Sequence, residues 1–195
     1  MNVRLKKNFN FISGIVFKDQ YISNIYNVTV HIVTATNDAN EQNIAYERLR
    51  YWVDHVIADS VLISDSSSML AAHQATNRRI LSLPEEPVDQ LIGIMLYLKL
   101  NAITQGRLII TDVELASTTG DDVTYIHSEG ENIGSLEGPG WWNDTRPCWT
   151  NVKKKGKVVN LDRAPEWADL ELDWHDSDVG SNVVVFGKFD KDETK

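Results

Sequence analysis

Few side chains in this chain stand in a pattern that could do chemistry. The most distinctive is a single carboxylate, Glu114, inside RLIITDVELA (residues 107–116), a run otherwise built for a strand. An ionised carboxylate only accepts, and it can take two parallel N–H donors from one planar ligand edge. Asp54-His55 has the letters of an acid–base pair, since histidine titrates near neutrality and a carboxylate can orient it. Adjacent helical residues do not face each other, so Asp59, four positions on, is the better partner for His55. His55 and Asp59 are therefore the candidate catalytic residues. The alternation His127-x-Glu129-x-Glu131, with His175, Asp176 and Asp178, could supply metal donors if a strand ran through it. Gly130 predicts a turn there instead, and no second histidine has a diagnostic spacing, so no metal site is expected. Cys148 has no histidine or helix N-terminus beside it and reads as an ordinary thiol. Trp141, Trp142 and Trp149 are too large and too close together to stay in water. They could cover the sheet within one chain, form a subunit interface, or stack on a flat ligand.

Positioning these groups requires an α+β domain. Residues 3–18 and 21–34 alternate as two half-buried strands around a turn at Lys18-Asp19-Gln20, which predicts an antiparallel hairpin. His31 falls on the face opposite Val28 and Val30. A helix is expected over residues 41–59, with Ala45, Leu49, Trp52 or Val53 and Val56 as its apolar stripe and Glu47, Arg48, Arg50 and Asp54 pointing elsewhere. A short apolar exit, a serine loop and a short helix near residues 69–76 follow. The second long helix begins near Pro87, where proline suits the first turn, and stops at Gln105-Gly106. Strict alternation in the next strand places Leu108, Ile110, Asp112 and Glu114 on one face. A polar turn leads to a further strand from Val123. The expected fold is an antiparallel β-sheet with two long helices on one face. Residues 1–130 form that domain. Residues 131–195 form an irregular Trp-rich and β-hairpin extension, with strand-like parts at 158–159 and 183–186 and an acidic tail.

The bulk properties exclude several classes. The chain has 195 residues and a net charge of −9, which argues against a nucleic-acid partner because phosphate affinity rests on clustered Lys and Arg. The one basic run, Lys153-Lys154-Lys155-Gly156-Lys157, is too short to reverse this. The only cysteine cannot make an internal disulfide. No apolar run is long enough for a signal peptide or a membrane span, so a cytoplasmic protein with no membrane partner is expected.

Hairpin, helix, loop, a proline-headed helix, then a strand ending Val113-Glu114-Leu115 and a polar turn before Tyr125: residues 5–126 in this order resemble the tunnelling fold. The nearest family is the 6-pyruvoyl and 6-carboxy tetrahydropterin synthases. The resemblance implies that Glu114 grips the amide-like edge of a pterin- or purine-like small molecule. It also implies a homo-oligomer that closes the sheet into a barrel, with ligand sites between subunits. The family holds zinc with three histidines. The corresponding stretches here read Phe11-Ile12-Ser13-Gly14 and Ile22-Ser23-Asn24-Ile25-Tyr26, so no metal or other cofactor is expected. Any enzyme of this kind would be a tetrahydropterin synthase-like lyase lacking that zinc site. The rival reading is a non-enzymatic oligomeric structural or assembly protein, such as a viral one.

Overall fold

Two long strands, β1 (Arg4–Phe17) and β2 (Gln20–Thr34), pair antiparallel along their whole length. Lys18 and Asp19 take positive φ (49° and 58°), the turn geometry that matches the right-handed twist of a hairpin. The computed structural model describes residues 3–76, 78–147 and 165–174. Helix α1 (Ala39–Trp52) begins where the Asp38 carboxylate accepts the free backbone N–H groups of Asn40 and Glu41, at 2.7 and 3.1 Å. Its last turn widens into a π-helical turn, Val53–Ile57, in which Ala58 N–H donates to Val53 O. The chain then turns sharply at Asp59 (φ 59°) into β3 (Val61–Ser64). After the short α2 (Leu70–Gln74) come β4 (Ile80–Leu83), α3 (Asp89–Thr104), β5 (Leu108–Ser117) and β6 (Thr124–Ser128).

The expected α+β layering is present, with the sheet in the order β4-β3-β1-β2-β5-β6 and both long helices on one face. The hairpin and β5–β6 are antiparallel as expected. The short apolar exit at residues 60–64 and the segment leading into Pro84 form two further strands: β3 pairs parallel with β1, and β4 parallel with β3, so the sheet is mixed and not wholly antiparallel. Each has four residues, too few for alternation to declare itself.

The α1 stripe is buried as its periodicity predicts, but Arg48, expected to point away, is fully buried too. Helix α3 is buried almost all round because the sheet packs on one side and residues 131–147 on the other. Gly93 lets the Tyr125 ring of β6 approach, and a Cβ there would lie 3.3 Å from that ring. Trp141 and Trp142 resolve to one of their three alternatives. Both are buried within the chain, Trp141 stacking on Trp52 with ring centroids 6.3 Å apart. Their indole N–H groups donate to Ser82 O and Leu136 O at 2.7 and 3.0 Å. Trp149, Cys148, the lysine run, the expected C-terminal hairpin, His175, Asp176, Asp178 and the acidic tail lie outside the described residues.

Candidate functional site

Glu114 reaches the face of the sheet opposite the helices, and a one-residue irregularity puts it there. His31 of β2 opposes Asp112, whereas Ile32 opposes Ile110, so Thr111 is an extra residue in β5. The bulge resets the alternation. Leu108 and Ile110 face the core before it, and Val113 and Leu115 face the core after it. The expectation that Leu108, Ile110, Asp112 and Glu114 share one face is therefore corrected: Asp112 and Glu114 turn to the open face.

That open face carries an ordered polar row. Lys6, His31, Asp112 and Ser128 lie side by side on β1, β2, β5 and β6, and Asn8, Thr29, Glu114 and Ile126 form the next row. His31 bridges the two rows, its Nε2–H meeting Glu114 Oε1 at 2.6 Å. Lys6 Nζ stands 3.6 Å from the same oxygen. The bond from His31 is the main reason that the Glu114 carboxyl is held below the usual glutamate range. Hydrogen bonds from Ser128 and Thr111 lower Asp112 likewise. Glu114 keeps 30% of its side chain exposed, and its Oε2 has no protein partner among the described residues. The site thus presents an ionised, oriented acceptor with one oxygen free. His31 and Lys6 were missed in the sequence because nothing local says that β2 and β5 are neighbours. Period-two alternation did place His31 opposite Val28 and Val30.

The candidate catalytic residues do not converge on Glu114 within one chain. Asp59 lines a cavity of about 460 Å³ with Ser60, with Ile12, Ser13 and Gly14 of β1, and with Tyr21 and Ser23 of β2. Arg78 and Arg79, both exposed, line it as well. Gly14 lets the Tyr21 ring lie close over β1, and a Cβ there, 2.4 Å from the ring, would push the ring aside. Ser23 is six residues along β2 from Thr29, the partner of Glu114, which puts the cavity about 20 Å away at the usual strand rise. His55 is exposed on the π-helical turn, its ring 5.1 Å from that of Tyr51, and does not line the cavity. Among the described residues nothing joins it to Asp54 or to Asp59. The pairing expected from helical spacing fails because the helix widens and then ends at Ala58, so Asp59 never takes the i+4 position.

Zinc of the kind implied by the family resemblance does not fit this cavity. Its donors are hydroxyls and one carboxylate, two guanidinium groups share it, and zinc in proteins is held by Cys, His and carboxylate ligands. Asn24, in the second of the two stretches compared with the zinc histidines, is buried and bonded to Thr118 and Thr119. Among the described residues no group of three or more His, Cys, Asp or Glu could hold a metal ion. His127 faces the helices, 1% exposed, with the Tyr97 ring edge-on at 4.8 Å. Burial lowers its pKa, and Glu131 stands 3.4 Å from its Nδ1. The strand ends at Ser128, as Gly130 implied, so Glu129 does not extend a donor row.

No protein-family model matches the chain, and neither does any curated protein. Several solved structures resemble it. An uncharacterized protein from Wolinella succinogenes is 10% identical with a TM-score of 0.46, covering 66% of this chain and 99% of its own. The 6-pyruvoyl tetrahydropterin synthase of Plasmodium vivax is 12% identical (TM-score 0.43, 65% and 97% covered). That of Plasmodium falciparum is 13% identical (TM-score 0.40, 65% and 96% covered). The likeness spans about two-thirds of this chain and nearly the whole of each of those.

Proposed function

We infer that this chain is a divergent tunnelling-fold protein that binds a pterin- or purine-like small molecule on the open face of its sheet, with Glu114 as the anchor. One observation carries the reading: an ionised carboxylate in mid-sheet, fixed through Oε1 by His31 at 2.6 Å, with Oε2 open to a ligand. Such heterocycles present a ring N–H and an exocyclic NH₂ side by side. A carboxylate accepts both, and hydrogen bonds to a charged partner are the stronger kind. The reading assigns binding and not turnover. Asp59 remains the acid–base candidate for a ligand that reaches its cavity, and His55 the weaker one.

A homo-oligomer is part of the proposal. Ile12, Ile25 and Ile126 are exposed on the open face, and among the described residues β4 and β6 are the edge strands. Unpaired edges and apolar side chains on a sheet face are what a second subunit would cover.

Titration calorimetry with pterin and with guanine tests the reading. Saturable binding is expected, weakened about 10- to 100-fold in Glu114→Gln with an unchanged melting temperature. Absence of binding to either compound by the wild-type protein overturns it. A co-purifying heterocycle seen by mass spectrometry would support it independently. A large stable assembly free of any heterocycle would favour the structural-protein reading instead.

A further inference from the structure

The cavity at Asp59 holds a feature that the reading of Glu114 does not use. Arg78 and Arg79 face it without acidic partners. Arg48, Arg50, Arg107 and Arg146 each pair with a carboxylate. Among the described residues neither Arg78 nor Arg79 does, although the chain carries 28 acidic residues against 19 basic ones. Each is nonetheless fixed. Arg78 donates from Nη1 to the Tyr21 hydroxyl at 2.7 Å, with its guanidinium 5.4 Å from the centre of that ring. Arg79 donates from Nη1 to Val56 O at 2.7 Å and to His55 O, carbonyls left free where the π-helical turn ends. One nitrogen of each guanidinium is thus anchored, and Nε and Nη2 have no protein partner among the described residues. Two hydroxyl donors stand alongside. The Tyr21 oxygen accepts from Arg78 and keeps its own proton to give, and Ser23 is exposed, its hydroxyl without a bond among the described residues.

We propose that this cavity is an oxyanion site, taking the phosphate or carboxylate of a small molecule between Arg78 and Arg79. Planar guanidinium forks suit both groups, and charge-assisted bonds to them are short and strong. Asp59 sets the rest of the ligand. It makes no ion pair with either arginine, so it repels a bare anion but accepts from a hydroxyl or ammonium beside the oxyanion. At about 460 Å³ the space is in the size range of small-molecule sites and exceeds what one phosphate fills. The ligand class is a small oxyanion carrying a neighbouring hydrogen-bond donor. The site stands independently of the Glu114 reading.

The test is calorimetry, with amide chemical shifts at residues 12–14 and 21–23, using inorganic phosphate, glycerol phosphate and glycerate. Saturable binding of glycerol phosphate or glycerate is expected, and the tighter of the two identifies the oxyanion. Arg78→Gln should weaken it at least about tenfold, one charge-assisted contact. Arg79→Lys keeps the charge and the carbonyl anchor but loses the fork, and should weaken it severalfold. Asp59→Asn should tighten inorganic phosphate, whereas Glu114→Gln should leave all three affinities unchanged. No saturable binding of any of the three probes overturns the proposal. So does full affinity in Arg78→Gln with native circular dichroism. Pterin binding that persists while the anion site fails, or the reverse, separates the two sites.

Discussion

At the scale of the residue, Glu114 and His31 depend on each other. The histidine donates to a carboxylate that keeps about a third of its surface in water, and the bond depresses the carboxyl pKa. A carboxylate whose folded pKa is depressed adds stability above its unfolded value. That stability is lost as the pH falls through the folded value. His31→Val should therefore raise the Glu114 carboxyl towards the ordinary glutamate range and flatten the loss of stability in acid. Carboxyl NMR titration of the two proteins reads this directly. An unmoved titration would mean that Lys6, 3.6 Å away, holds the charge alone. Buried basic residues behave differently. Arg48 is shut in by the Trp167 and Trp174 rings, 4.6 and 3.7 Å from its guanidinium carbon, and donates to Leu172 O and Ile103 O. Burial lowers its pKa to about 10, so it stays charged at neutral pH and ties residues 165–174 to α1.

At the scale of the element, α3 is the part that the rest of the chain clasps. Lys99, 2% exposed, donates from Nζ to Trp141 O, Asp144 O and Arg146 O at 3.3, 2.6 and 3.0 Å. An ammonium group has three protons to give, and three carbonyls of the loop accept from it. An apolar stripe predicts a helix with one wet face. Here the face away from the sheet is roofed by a loop that a single lysine gathers. Lys99→Met keeps the length and the apolar stem but takes the ammonium donor away from all three carbonyls. It should cost about 2–4 kcal/mol, read as a lower urea midpoint, with Trp141 and Trp142 fluorescence shifted towards that of solvated indole. A midpoint equal to wild type would show that the tryptophans alone hold the roof. The bulge at Thr111 acts at the same scale, since one extra residue transfers Asp112 and Glu114 from the core face to the open face.

At the scale of the whole molecule, one sheet face is covered twice over by helices and loop. Among the described residues the other is covered at its β3 end, where Met69 and Leu70 pack on Val16, Val61 and Ile63, and is open over β2, β5 and β6. That open part combines a charged row with exposed isoleucines, and among the described residues the sheet ends in a strand at each side. Light scattering at working concentration should therefore give an oligomer mass, and a sharp monomer would count against an intersubunit ligand site. The hairpin, both long helices and the β5–β6 pair were legible because each repeats its apolar residues over several periods. The strands β3 and β4 were not, because four residues contain no period. The roof over α3 was not, because lysine and tryptophan partners lie some forty positions apart in the chain.

By itself the sequence determined the α+β class, the first hairpin, the apolar stripe of α1 and the presence of Glu114 in a strand. Those follow from local spacing, which fixes the face each side chain takes as long as the strand is regular. Only the tertiary structure decided the company Glu114 keeps. A bulge inverted its face, strand order set His31 and Lys6 beside it, and a π-helical turn carried Asp59 away to a cavity shared with Arg78 and Arg79. These are consequences of which strands lie next to each other and where backbone hydrogen-bond ladders skip a residue. Neither is written in the periodicity of any one segment.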